Sequence, residues 1–115
     1  MDYLIGHLAG DYLLQNDWMA ANKRQSTRVC LVHVALYCLS VALLTGWPWW
    51  ALVLTAVCHF TQDRTPIVRW YMQRVGQAQF ATGPMAPWSV VVVDNSLHLL
   101  QLHLTQRLVE WLQHV

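Results

Sequence analysis

The chain has 115 residues, 56% of them hydrophobic and only 11% charged, with seven tryptophans, a net charge of +1 and a mean hydropathy of +0.29. That length holds one domain, and a soluble domain carries about 25% charged residues, so too little charge is present to cover a water-facing surface. The balanced charge also lacks the concentrated basic face of a nucleic-acid binder, and residues 1–115 are expected to form a single helical membrane domain with no nucleic-acid partner.

The opening "MDYLIGHL" puts an acid where a signal peptide needs a basic n-region, so no cleavable signal is expected and the helices themselves would insert. Residues 2–21 are mostly apolar and carry a stripe of His7, Asp11 and Gln15 at intervals of four, with Gly6 and Gly10 small enough to admit a neighbouring helix. They form either one span or a helix broken at "QNDW", where Asn16 and Asp17 suit the start of a second helix through "WMAANKR"; Asp17 reads as a cap. Residues 29–47, "VCLVHVALYCLSVALLTGW", supply the near-continuous apolar run of about 20 residues that crosses a bilayer core.

A Gly46-Trp47-Pro48 turn then leads into residues 47–63, a shorter second span whose tryptophans suit a membrane interface. From Arg64 to Pro87, prolines, glycines and arginines set among aromatics predict an interfacial amphipathic helix followed by a loop, and residues 88–111 form another long helix. The expected fold is all-α: a small polytopic bundle of three to four membrane helices plus that interfacial segment. Lys23, Arg24 and Arg28 fall in one loop and Arg64, Arg69 and Arg74 in another, which by the positive-inside rule places both in the cytoplasm of a bacterial inner membrane.

Three His–Asp pairs recur at a spacing of four: His7 with Asp11, His59 with Asp63, and Asp94 with His98. That spacing puts both members of a pair on one helical face. An ionisable group at the centre of a membrane helix costs at least about 2.5–3.5 kcal/mol, so pairs converging from three helices call for a compensating partner. Imidazole nitrogen with carboxylate oxygen suits a divalent metal, zinc first and then manganese, iron or nickel. The expected ligands are His7, Asp11, His59, Asp63, Asp94 and His98, holding one or two ions. His33, at a similar depth to His59, is a further ligand or a general base; His33 and Asp63 are the candidate catalytic groups. Gln15 and Asn95 are expected to orient ligands, and His103 and His114 to lie outside the site. Interhelical hydrogen bonding or a metal-free proton-bearing cluster remains the alternative for these pairs.

Cys30, Cys38 and Cys58 are odd in number and form no C-x-x-C pair, so they read as packing residues. No G-x-S-x-G, phosphate-binding glycine loop or cysteine nucleophile setting is present.

Taken together, "HLAGDYLLQNDWMAANK" at 7–23, "HVALY" at 33–37, "HFTQD" at 59–63 and "DNSLHLL" at 94–100 resemble a family of small bacterial and prophage membrane proteins, domain of unknown function 3307. That family carries a glutamine after the aspartate of the last motif, where this chain has Asn95. The resemblance implies a helical membrane protein in which the matched His and Asp positions matter, and it implies no reaction. A looser likeness in residue types links the chain to membrane-bound metal-dependent hydrolases.

The leading expectation is a metal-dependent hydrolase at the inner face of the membrane, in which metal-activated water attacks a phosphoester or ester in a lipid headgroup or nucleotide. Two metals sharing a carboxylate would favour the phosphoester. The alternative is a non-enzymatic module: a proton or metal-ion pathway, or a phage-encoded accessory subunit acting on a host membrane partner or as a homo-oligomer. Four spans at most, with no inverted repeat, are too few for a full secondary transporter.

Overall fold

The computed structural model describes residues 2–115, and among them every regular element is helical, with no strand. Helix α1 (Asp2–Leu8) runs directly into a π-helical turn, Ala9–Leu13. It is followed by α2 (Asp17–Asn22), α3 (Thr27–Thr45), α4 (Trp49–Arg64), α5 (Ile67–Arg74), α6 (Ala78–Thr82) and α7 (Trp88–Gln113).

The first segment is broken. The Leu14 N–H reaches back five residues to the Ala9 carbonyl (2.9 Å), the helix stops, and Asn16 starts α2 by accepting the Met19 N–H (2.9 Å). Asn16 is therefore the cap, and Asp17 sits in the first helical turn instead. Ser26 caps α3 in the same way, and Gly46, at φ +65°, ends it in the left-handed conformation that glycine adopts without strain. The stretch read as a loop after the interfacial helix contains the short α6, set off from α5 by Gly76 at φ +83°.

Helices α1, α3, α4 and α7 close into a ring, each packed on the next and α7 returning to α1. Cross-contacts run in opposite order along every neighbouring pair. Tyr3 meets His103 while His7 meets Asn95, and Thr55 meets Gln101 while Asp63 meets His98. Neighbours are thus antiparallel, as in an up-and-down bundle. The α1–α3 seam depends on the two glycines: a Cβ on Gly6 would lie 3.0 Å from the Val41 Cα, and one on Gly10 only 2.9 Å from the Tyr37 Cα.

The principal core, Tyr37, Val41, Trp47, Ala51, Leu102 and Val109, fills the bundle towards the Gly46 turn. A smaller core of Val68, Met72, Ala81 and Val90 seats α5 and α6 against α7. Cys30 is buried, Cys38 and Cys58 half-buried, and all three are free thiols. The outer face is apolar, with Leu43, Val53, Val57, Leu100 and Leu104 exposed. Among the described residues α3 alone is both long and apolar enough to cross a membrane, since α4 is short at 16 residues and α7 is interrupted by polar residues that include Asp94, Asn95, His98, Gln101 and His103.

Candidate metal centre

The antiparallel ring gathers the chemistry at one end. Asp11 leaves the end of α1, His33 lies in the second turn of α3, His59 and Asp63 close α4, and Asp94 and His98 lie near the start of α7. The π turn is where Asp11 diverges from its neighbours on the first stripe, a distortion that recurs at functional sites.

Four donor atoms meet at one point: His33 Nε2, His59 Nε2, Asp11 Oδ1 and Asp63 Oδ2. His33 Nε2 lies 3.0 Å from each of the other three. His59 Nε2 stands 3.3 Å from Asp11 Oδ1 and 3.1 Å from Asp63 Oδ2. All four residues are buried, and Asp11 Oδ1 has no hydrogen-bond partner. Each imidazole Nε2 carries at most one hydrogen, so these contacts outnumber the protons able to bridge them. A cation at their centre satisfies all four atoms at once, and the group is positioned to bind a metal.

A second group adjoins the first. His98 Nε2 lies 3.3 Å from Asp63 Oδ1 and 3.5 Å from Asp94 Oδ2, and Gln62 donates to the other Asp94 oxygen at 3.0 Å. Asp63 belongs to both groups, presenting a different oxygen to each.

His7 stands apart from both, although its spacing from Asp11 suggested a ligand. Asn95 Nδ2 donates to the Val91 carbonyl (3.0 Å), which turns Asn95 Oδ1 towards His7 to accept its Nε2–H (2.9 Å). The remaining nitrogen, Nδ1, then accepts the Tyr37 hydroxyl at 2.8 Å. With both nitrogens engaged His7 has no lone pair for a metal, and Asp11 Oδ2 is 3.6 Å away. Asn95 thus orients His7, and Tyr12 also contacts its amide. Gln15 donates to the Asp11 backbone carbonyl (3.2 Å) and touches no donor atom. His33 takes a ligand position, and its other nitrogen is sealed from any substrate. His103 pairs with Tyr3 at the opposite end and His114 is exposed at the carboxyl end, so neither joins a donor group.

Four residues join the site without having been assigned to it from the sequence: Tyr37, Gln62, Lys23 and Arg24. Tyr37 stacks on His59 (centroids 3.7 Å apart), which stacks in turn on His98 (4.1 Å). This stack orients His59, whose Nδ1 has no hydrogen-bond partner. Tyr37 falls four residues after His33, so its place on the same stripe was readable. Lys23 donates to Asp63 Oδ2 at 3.0 Å, and with Arg24 it lines a cavity of about 230 Å³ whose walls include Asp11, Asp63 and Asp94.

The chain is therefore an all-α protein with buried His/Asp groups positioned for a metal at one end of the bundle. It belongs to the family described as a protein of unknown function (DUF3307), whose model matches residues 1–114. No curated protein and no solved structure matches it.

Proposed function

We propose that the protein is a metal-dependent hydrolase of a polytopic membrane bundle, with its site at the cytoplasmic face. The observation that carries this reading is the spacing of the four donor atoms. Zinc–nitrogen and zinc–oxygen bonds of about 2.0–2.1 Å place the ligands of a tetrahedral ion about 3.3 Å apart. Five of the six separations here are 3.0–3.3 Å, and the sixth, between the two carboxylates, is within 4.8 Å. Zinc is the first candidate, and manganese or iron the next.

A divalent ion in this centre would supply Lewis acidity and, at a coordination position that no side chain fills, would lower the pKa of bound water. The chain's own residues supply the rest. Asp11 and Asp63 neutralise the cation, the Tyr37–His59–His98 stack fixes ring orientation, and Lys23 and Arg24 stand in the cavity where an anionic substrate would enter. In hydrolysis of a phosphoester the water oxygen bonds to phosphorus, the ester P–O bond breaks, and the leaving oxygen takes the proton.

Membrane embedding by more than α3 is favoured by the tryptophans. Trp49 and Trp111 are exposed at one end of the bundle and Trp18, Trp70 and Trp88 at the other. From Trp88 to Trp111 a helix rises roughly 35 Å, close to the thickness of a bilayer core, and the basic loops share the site's end.

A proton pathway is the second reading, favoured by one observation. Beyond His98, Gln101 donates to Thr55 (3.2 Å) and Thr105 (2.8 Å), continuing the polar interior towards the opposite end. The deciding assay uses purified, metal-loaded protein in lipid vesicles. Hydrolysis of a phosphoester that disappears on chelation and in Asp63→Asn supports the hydrolase; proton flux that depends on His98 and Gln101, without hydrolysis, replaces it.

A further inference from the structure

We infer that Asp63, Asp94 and His98 hold a second metal ion, bridged to the first through Asp63, and that this second ion faces a phosphoryl substrate. The inference rests on the metal reading above.

The Asp63 carboxylate divides between the two groups. Its Oδ2 lies 3.0 and 3.1 Å from His33 and His59, and its Oδ1 lies 3.3 Å from His98. A carboxylate placed this way bridges two ions, the arrangement of hydrolytic sites whose metals sit about 3.5–4 Å apart. Gln62 occupies Asp94 Oδ1 and leaves Oδ2 for the ion, and His98 is buried with its Nε2 turned into the group.

Ligand number separates the two ions. His33, His59, Asp11 and Asp63 complete a four-coordinate shell, which is the closed form of a structural site. Asp63, Asp94 and His98 supply three ligands and leave a position open. Asp94, the carboxylate that belongs to this group alone, lines the cavity beside the shared Asp63 and Asp11 of the first group, so the open position is the one through which a ligand in the cavity reaches a metal.

Charge then selects the ligand. Asp11, Asp63 and Asp94 line this cavity, and one divalent ion among three carboxylates leaves its floor negative. A second divalent ion makes the floor positive. Lys23 and Arg24 extend that sign up the wall, so a phosphoryl anion is attracted more strongly to the two-ion form.

The test strips the detergent-purified full chain with chelator, reloads it with manganese(II), and combines elemental analysis with electron paramagnetic resonance. The wild type is expected to bind two ions per chain with an exchange-coupled spectrum. His98→Ala and the half-exposed Asp94→Asn are expected to bind one uncoupled ion, and to bind inorganic phosphate roughly tenfold more weakly. A folded wild type with a single ion, or two ions retained in both variants, overturns the second site and leaves the first standing. A folded wild type that takes up no metal overturns both.

Discussion

At the Gly46 end of the bundle, Val41, Ala51, Leu102 and Val109 close around Trp47, whose indole N–H is satisfied by Gln106 at 2.7 Å. At the other end four histidines, His7, His33, His59 and His98, and two aspartates, Asp11 and Asp63, occupy the same kind of interior. The first end gains stability from every apolar contact it makes. The second carries charges that destabilise the bundle unless they are matched. One fold thus joins an end that holds the helices together to an end positioned to bind a metal, and perturbing each should separate the two roles.

The largest effect is expected from the apolar end. Leu102 is fully buried, and Leu102→Ala should lower unfolding stability in detergent by about 2–5 kcal/mol while metal content stays unchanged. Loss of metal in a folded Leu102→Ala protein would blur the distinction. Chelation should act only on the other end. At free metal a hundredfold above its Kd, binding contributes about 2.7 kcal/mol, so the melting temperature should fall on stripping the wild type and stay fixed in Asp63→Ala. A smaller effect is expected at the seam joining the ends. In Gly10→Ala the new methyl would meet Tyr37 Cδ2 at 2.7 Å and the Tyr37 Cα at 2.9 Å. Thermal unfolding should register a loss of about 1–3 kcal/mol, with weaker metal uptake because Asp11 follows immediately.

Which parts of this were legible in the sequence follows from the range of each signal. Helix α3 declared itself by an unbroken apolar run, and the break before α2 was one of two readings that Asn16 and Asp17 allowed, because both signals are local. The pairs at a spacing of four marked the right end of the right helices. They could not show that both nitrogens of His7 are engaged, since that is decided by Asn95 and Tyr37 from two other helices. Lys23 was legible only as a charge in a basic loop, and its contact with Asp63 spans 40 residues of chain. The π turn has no composition of its own, so the sequence suggested a regular stripe from His7 to Gln15 where the structure interrupts it. Helix α6 was hidden among glycines and prolines that punctuate both of its ends.

The most direct measurement is the metal content of the detergent-purified wild-type chain beside that of His33→Ala, each checked for folding by circular dichroism. Bound divalent metal in the wild type, falling by one ion per chain in His33→Ala, is the predicted result. A well-folded wild type free of metal, and unchanged in melting temperature when zinc, manganese or iron is added, would contradict it.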